Sequence, residues 1–330
     1  MQVIAMRPNT SRDNAFVDLF SHSLEKCGFR MKSFNWELSP FAGADYVILH
    51  WPEYFFTAPT LEARFRMAMV RFMKSLHGTR FIWVAHNIRP HDTADLDMRA
   101  TLRFLGELDG VVFLSNASRR EFATAYPDVK MKLHTIRHGH YLESMETGPK
   151  TMPEHGQVRL LNFGQLRPYK NVDQLIRCLQ ELAGCDVSLT IAGLRRDVAY
   201  ANEIQGLCAE RPDITLDLRD DLLPQHDLER HLDACHGVVL PYSTITNSGA
   251  AIFALSRNRP ILAPNSGAFP ELQSDIGSDW VALYEGQLDA VDLRDFVRKI
   301  RTFAPDSRPD LSAYAWSGIG ASLAEFLRSL

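Results

Sequence analysis

The sequence predicts an α/β protein, and three observations lead there. Short apolar runs alternate with helical patterns along all 330 residues. The runs are continuously apolar rather than alternating, as in parallel strands buried on both faces. A polar, Gly- and Pro-containing stretch without periodicity, Glu143–Gln157, reads as a linker between two similar halves. Two doubly wound, Rossmann-like domains facing across a cleft follow from this pattern.

The first half holds candidate strands at Gln2–Met6, Met31–Asn35, Tyr46–His50, Arg80–Ala85, Gly110–Leu114 and Lys132–Ile136. The second holds them at Arg159–Phe163, Ser188–Ala192, Ile214–Leu218, Gly237–Pro241, Pro260–Ala263 and Trp280–Tyr284. Amphipathic stretches between them predict helices at Asn14–Cys27, Thr60–His77, Ser118–Tyr126, Asn171–Ala183, Tyr200–Glu210 and Asp227–Ala234. A break at Ala304–Pro309 precedes a last helical stretch, Gly320–Leu330. The expected domains are 1–148 and 149–305, with 306–330 packing back toward the first.

Composition excludes several classes. A hydrophobic content of 45% and a charged content of 23% are ordinary globular values. The net charge of −4 argues against nucleic acid as a partner. Five cysteines without CxxC spacing (Cys27, Cys178, Cys185, Cys208, Cys235) fit neither a disulfide framework nor structural zinc. No signal peptide or membrane-spanning run is visible, so a cytoplasmic protein is expected, at most peripheral on a membrane.

Ligands of doubly wound sheets bind at the carboxyl ends of the strands, so the loops there should carry the chemistry. The loop after Phe163 contains Gly164, Arg167 and Lys170 and leads into a helix. Cations at a helix N-terminus oppose its dipole unless an anion is present, which points to a diphosphate. The segment Asn247-Ser248-Gly249-Ala250-Ala251 opens another helix with small residues that let a phosphate approach its N–H groups, and Tyr242 and Thr244 lie on the approach. In the first half, His50-Trp51-Pro52-Glu53 and His86-Asn87-Ile88-Arg89-Pro90-His91-Asp92 follow strands. A hydroxyl nucleophile needs a carboxylate or imidazole within hydrogen-bond reach; Glu53, His86, His91 and Asp92 are the candidates.

Other signals are weaker. The loop Arg7–Asn14 lacks the glycines of GxGxxG, and no P-loop occurs. His138-Gly139-His140 has no third partner for a metal and reads as a cleft-lining loop. Asp217–Asp221 reads as a solvated loop rather than a DxD metal motif. No metal or cofactor is therefore expected. In Tyr54–His77, aromatic and Met side chains mix with Arg64, Arg66, Arg71 and Lys74, as in an interfacial helix or an ordinary half-buried one.

These motifs together carry a resemblance. LHWPEYFF (Leu49–Phe56), HNIRPHD (His86–Asp92), HGHY (His138–Tyr141), FGQLRPYKNVDQLI (Phe163–Ile176), the PY…NSGAAIFALS…RPILAP block and DWVALYEG (Asp279–Gly286) span most of the chain. In that order they resemble the GT-B glycosyltransferases and, within them, the β-mannosyltransferase branch of xanthan assembly. The resemblance implies a GT-B fold with a nucleotide-diphospho-sugar, GDP-mannose favoured, bound by the second domain. It implies a polyprenyl-diphosphate-linked or other glycan acceptor on the first domain, and exopolysaccharide synthesis at the inner face of the bacterial plasma membrane. Glu271, in a loop similar in many GT-B enzymes, joins the donor-site candidates.

One departure matters. The paired glutamates (ExxxxxxxE) of a related retaining family are missing from Ile245–Ala254, which favours an inverting transfer. The expected assignment puts Glu53 or Asp92 as general base with His86 orienting a substrate. Gly164, Arg167, Lys170, Tyr242, Asn247, Ser248, Gly249 and Glu271 hold the donor, and His50, Trp51, His91, His138 and His140 line the acceptor side. The alternatives are a retaining GT-B hexosyltransferase using a UDP-sugar and a non-catalytic two-domain binding protein.

Overall fold

The computed structural model describes residues 1–8, 14–37, 39–58, 60–88, 96–154, 156–182 and 184–330. The chain divides into two compact units, Met1–Gly139 with Tyr314–Leu330, and His140–Ala313.

The first unit runs β1 (Val3–Arg7), α1 (Ala15–Lys26), β2 (Arg30–Ser33), α2 (Ser39–Ala42), β3 (Tyr46–Leu49), α3 (Leu61–His77), β4 (Arg80–Ala85), α4 (Met98–Leu105), β5 (Gly110–Phe113), α5 (Asn116–Ala125) and β6 (Lys132–Thr135). Its six strands are all parallel, in the order β2-β1-β3-β4-β5-β6. Central β3, β4 and β5 are apolar and buried along nearly their whole length, as burial on both faces demands. Helix α1 starts where the Asn14 side chain accepts from the Phe16 N–H. Helix α3 is capped by Thr60 and ends at Gly78 in the left-handed region, φ +64°.

The same unit recruits the chain's last helix, α12 (Trp316–Ser329), which begins earlier than the expected Gly320. It lies on α1, and Gly320 allows this: an added Cβ would stand 2.7 Å from the Ser23 carbonyl oxygen. Farther along, the Phe326 ring stacks on His134 at 4.8 Å.

The second unit runs β7 (Val158–Phe163), α6 (Val172–Glu181), β8 (Val187–Leu194), α7 (Val198–Cys208), β9 (Ile214–Arg219), α8 (Gln225–Ala234), β10 (Gly237–Val239), α9 (Gly249–Ser256), β11 (Ile261–Pro264), α10 (Phe269–Ile276), β12 (Val281–Tyr284) and α11 (Ala290–Ile300). Its sheet is again six-stranded and parallel, ordered β12-β11-β10-β7-β8-β9. All twelve strands expected from the sequence are present; α2, α4, α10 and α11 add to the helices read from it.

Two readings need correction. The stretch Glu143–Gln157 is no bare linker, because the guanidiniums of Arg257 and Arg259, both 0% exposed, stitch it to the second unit. Arg257 donates to the Thr147 carbonyl (2.6 Å) and pairs with Glu229 (3.1 Å) and Asp233 (2.5 Å). Arg259 donates to the Thr151 and Leu232 carbonyls at 3.1 and 2.6 Å. Nor is Asp217–Asp221 a free solvated loop: Asp217 sits in β9, held by Arg219 at 2.9 Å and His231 at 2.8 Å. Those partners hold its carboxyl down to about 2, the Arg219 hydrogen bond contributing most.

Breaking a buried ion pair on one side leaves an uncompensated charge. Arg257→Ala is therefore expected to destabilise the second unit by about 3–5 kcal/mol, with a smaller loss in the double variant Arg257→Met, Glu229→Leu. Urea unfolding of the three proteins checks this.

Candidate active site

The carboxyl edge of each sheet can be built up separately. In the first, the order β2-β1-β3 places the reversal of winding between β1 and β3, where open α/β sheets take ligands. Met6 ends the buried part of β1, His50 follows β3 and His86 follows β4, so adjacent strands deliver all three to one edge. His50 is 1% exposed; its Nδ1 lies 2.9 Å from His86 Nε2, and its Nε2 lies 3.2 Å from the Met6 sulfur. Trp51 stacks on His86 at 4.5 Å and 20°.

Aromatic packing closes this edge. The Phe16 ring of α1 meets His86 at 5.2 Å, His138 at 4.6 Å and Trp316 of α12 at 5.3 Å. Gly139 is required beside them, since an added Cβ would overlap the Trp316 indole. Burial lowers the basicity of all three imidazoles, His50 to about 3 and His138 to about 4, and His86, beside both, well below the ordinary value. They are neutral at pH 7, which suits hydrogen bonding better than proton transfer.

Glu53 opens a 3₁₀ turn, Glu53–Phe55, directly after Pro52. It is half-buried, and desolvation raises its carboxyl above the usual range, opposed by a hydrogen bond from its own backbone N–H. A raised carboxylate is the property a general base needs. The structure thus brings His50, Trp51, His86 and His138 together and places Glu53 on the loop that follows Trp51. His140 belongs to the second unit, where it is 7% exposed. His91 and Asp92 lie outside the described residues.

In the second sheet the winding reverses between β7 and β10. Gly164 follows β7 at φ +114°. Beside it, Gly193 at φ +149° is where any added Cβ would overlap the Gly164 carbonyl oxygen. A Cβ on Gly164 would stand 2.8 Å from Lys170 Nζ, so the glycine leaves room for the ammonium. Lys170 ends the turn Pro168–Lys170, and its Nζ lies 5.4 Å from the centre of the Tyr242 ring. Among the described residues no carboxylate pairs with it. Burial, then the neighbouring Arg167, pushes Lys170 down to about 8.

Hydrogen bonds tie three loops together here. The Tyr169 carbonyl accepts from the Ser243 N–H (2.9 Å) and hydroxyl (3.1 Å), fixing the cationic turn to the loop after β10. Ser248 caps α9 by accepting from the Ala251 N–H, with Asn247 before it and Gly249 as the first helical residue. The Ala268 N–H donates to the Thr246 carbonyl at 3.1 Å, which draws in the loop leading to Glu271 in the first turn of α10. Gly164, Arg167, Lys170, Tyr242, Asn247 and Ser248 sit on these loops, and Gly249 and Glu271 in the first turns of α9 and α10.

No protein-family profile matches the chain. Two curated relatives of Xanthomonas campestris pv. campestris, both GDP-mannose:glycolipid 4-beta-D-mannosyltransferases, do match it. They are 33% identical over 280 residues and 34% over 283, each covering 84% of this chain and 77% of the relative. The chain belongs to this mannosyltransferase family. It is a glycosyltransferase. Among solved structures it is similar to HepE of Anabaena in complex with UDP (TM-score 0.66, 15% identity, 100% of both chains covered). It is also similar to sucrose-phosphate synthase of Thermosynechococcus elongatus (TM-score 0.65, 13% identity, covering 100% of this chain and 95% of the other). The fold is GT-B.

The sequence reading of this glycosyltransferase missed Met6, Phe16, Tyr169, Gly193 and Trp316. Only Gly193 carried a local signal, a glycine at the end of an apolar strand. Gly193→Ala combines a left-handed-region strain of about 1–3 kcal/mol with a backbone collision. It is expected to displace Gly164 and weaken nucleotide binding at least about tenfold, read by calorimetric titration with GDP.

Proposed function

We propose that this glycosyltransferase moves mannose from GDP-mannose to a lipid-linked oligosaccharide in exopolysaccharide synthesis, by metal-independent direct displacement with inversion. The observation that carries the reading is Lys170, a partly buried ammonium that no carboxylate pairs with among the described residues, on a turn bonded to the loop that opens α9. A diphosphate would supply the missing counter-charge and use the free N–H groups of α9. As the glycosidic bond to the departing diphosphate breaks, negative charge grows on the leaving oxygen, where Lys170 and Arg167 would stabilise it. Glu53 would take the proton of the acceptor hydroxyl as it attacks the opposite face of the anomeric carbon. Asp92 remains the other candidate for that role. Mannose, GDP and the glycolipid are taken from the names of the two relatives. Inversion is supported by the missing glutamates of Ile245–Ala254.

The acceptor's lipid suggests a membrane surface on the first unit. Of the aromatic-basic stretch, Phe55, Phe56 and Met73 are core residues, and Arg71 and Lys74 pair with Glu107 and Asp109. What stays exposed is Leu61, Phe65 and Leu76 on α3, with Met98 and Leu102 on α4. Residues of the same two helices, Arg64, Met67 and Arg103, line with Tyr54 and others a cavity of about 350 Å³. No helix among the described residues is long and apolar enough to cross a membrane. Exposed apolar side chains on α3 and α4 with basic neighbours suit an anionic lipid surface, on the cytoplasmic side of the membrane.

The test is product analysis in EDTA with GDP-mannose, UDP-glucose and UDP-mannose as donors and a short lipid-diphosphate glycan as acceptor. Transfer from GDP-mannose alone, with a β linkage by NMR, is expected. A product that retains the donor configuration, or a dependence on added metal, sinks the mechanism. Sedimentation with phosphatidylglycerol vesicles, lost in Leu61→Glu, Phe65→Glu, checks the surface.

A further inference from the structure

Helices α3 and α4 of the first unit leave a space that their side chains do not fill. On α3, Arg64, Met67, Ala68 and Arg71 recur at helical spacing and share one face. Ala100 and Arg103 do the same on α4. Both faces line the cavity of about 350 Å³, with Tyr54 and Phe55 among its other walls. That is a size common to small-molecule sites. Alanine at 63, 68 and 100 keeps it open. Exposure grades outward: Phe55, Ala63 and Ala100 are buried, Tyr54 and Met67 half-buried, and Arg64, Arg71 and Arg103 exposed. The inner wall is held in place, since Phe55 stacks on Phe104 at 4.4 Å and the Arg66 guanidinium lies 4.2 Å from the Tyr54 ring centre. An apolar interior therefore ends in three guanidiniums.

The charges at the outer end do not balance. Glu107, four residues past Arg103, is taken by Arg71 at 2.7 Å. Thr60, Leu61, Met67 and Ala68 occupy the positions three and four residues from Arg64, so its own helix offers it no carboxylate. Among the described residues neither Arg64 nor Arg103 has an ion-pair partner. Two uncompensated guanidinium forks match a group that carries more than one negative charge on several oxygens, which is the chemistry of a phosphate.

We propose that this cavity binds a single-chain lipid phosphate or diphosphate, the lipid end of the glycolipid acceptor, with the chain between α3 and α4 and the phosphate held by Arg64 and Arg103. A bilayer adsorbs to exposed side chains such as Leu61 and Phe65, whereas this site takes a single molecule. That the lipid belongs to the acceptor rests on the proposed sugar transfer; the cavity and its unbalanced arginines do not.

The experiment titrates the full chain with farnesyl diphosphate and with inorganic diphosphate by calorimetry, in excess GDP so that neither occupies the loop of Lys170. Farnesyl diphosphate should bind with a stoichiometry of one. Inorganic diphosphate, with no chain to bury, should bind about a hundredfold more weakly or worse. Arg64→Ala and Arg103→Ala should each cost about ten- to a hundredfold in affinity, as the loss of a charge-assisted hydrogen bond does. Both side chains are exposed, so neither change touches the core. Ala68→Phe, also at an exposed position, fills the cavity and should abolish this binding while vesicle sedimentation persists; Leu61→Glu, Phe65→Glu should do the reverse. With a lipid-diphosphate glycan as acceptor, Arg64→Ala should raise KM by the factor it costs in affinity and leave kcat unchanged. Equal affinity for the two diphosphates, competition by GDP, or indifference to Ala68→Phe and to both arginine changes overturns the site. An unchanged acceptor KM in variants that no longer bind farnesyl diphosphate overturns its assignment to the acceptor. Cavity binding as expected in a protein that transfers no mannose instead sinks the proposed reaction and leaves the lipid site standing.

Discussion

Replacing Lys170 by alanine is expected to lower turnover about 10²–10³-fold, the range seen when one group stabilising a developing anion is removed. The same change should leave the melting temperature at pH 7 unchanged or higher, because it removes a desolvated cation that no described carboxylate compensates. Lost catalysis with retained stability marks a ligand-directed charge. The pH dependence is signed. The lowered value means that the ammonium persists below about 8 and is lost as pH rises through it, so GDP affinity should weaken in that window. Lys170→Arg keeps its charge far beyond that range and should remove the alkaline loss, though its planar fork need not restore the full rate. Titrations of GDP between about pH 6.5 and 9.5 check both statements. Equal GDP affinity in wild type and Lys170→Ala would remove Lys170 from the site.

The second large effect belongs to Glu53. If it is the base, Glu53→Gln should cut kcat about 10²–10⁴-fold. Its raised carboxyl must be ionised to accept a proton, so wild-type activity should fall at a pH above the usual carboxylate range as the medium is acidified. Stability runs the other way. A carboxyl raised in the folded state folds more easily when protonated, so its ionised form costs stability above the folded value and nothing below the unfolded one. The melting temperature of Glu53→Gln should therefore exceed that of wild type at pH 7 and converge with it in acid. An unaltered rate in this variant would transfer the role to Asp92.

Much of the fold was legible because parallel strands buried on both faces write themselves as unbroken apolar runs such as VVF in β5 and LLNF in β7. Loops that end such strands also supply the candidate residues, as Gly164 to Lys170 do. What stayed hidden depends on lateral order. Nothing in the chain says that Met6, His50 and His86 become neighbours; that follows from the sequence β1-β3-β4 in the sheet. The supposed linker was misread because its partners are buried guanidiniums more than a hundred residues away, bonded to its carbonyls. Backbone acceptors leave no mark in a side-chain pattern.

The placement of α12 bears on how the molecule is made. The helix that lies on α1 leaves the ribosome after every strand of the other unit. Residues 140–313 form one uninterrupted span and can fold during synthesis, whereas the first unit keeps its surface at Ser23 and Phe16 uncovered until α12 has emerged. The usual vectorial order, first half first, is inverted here.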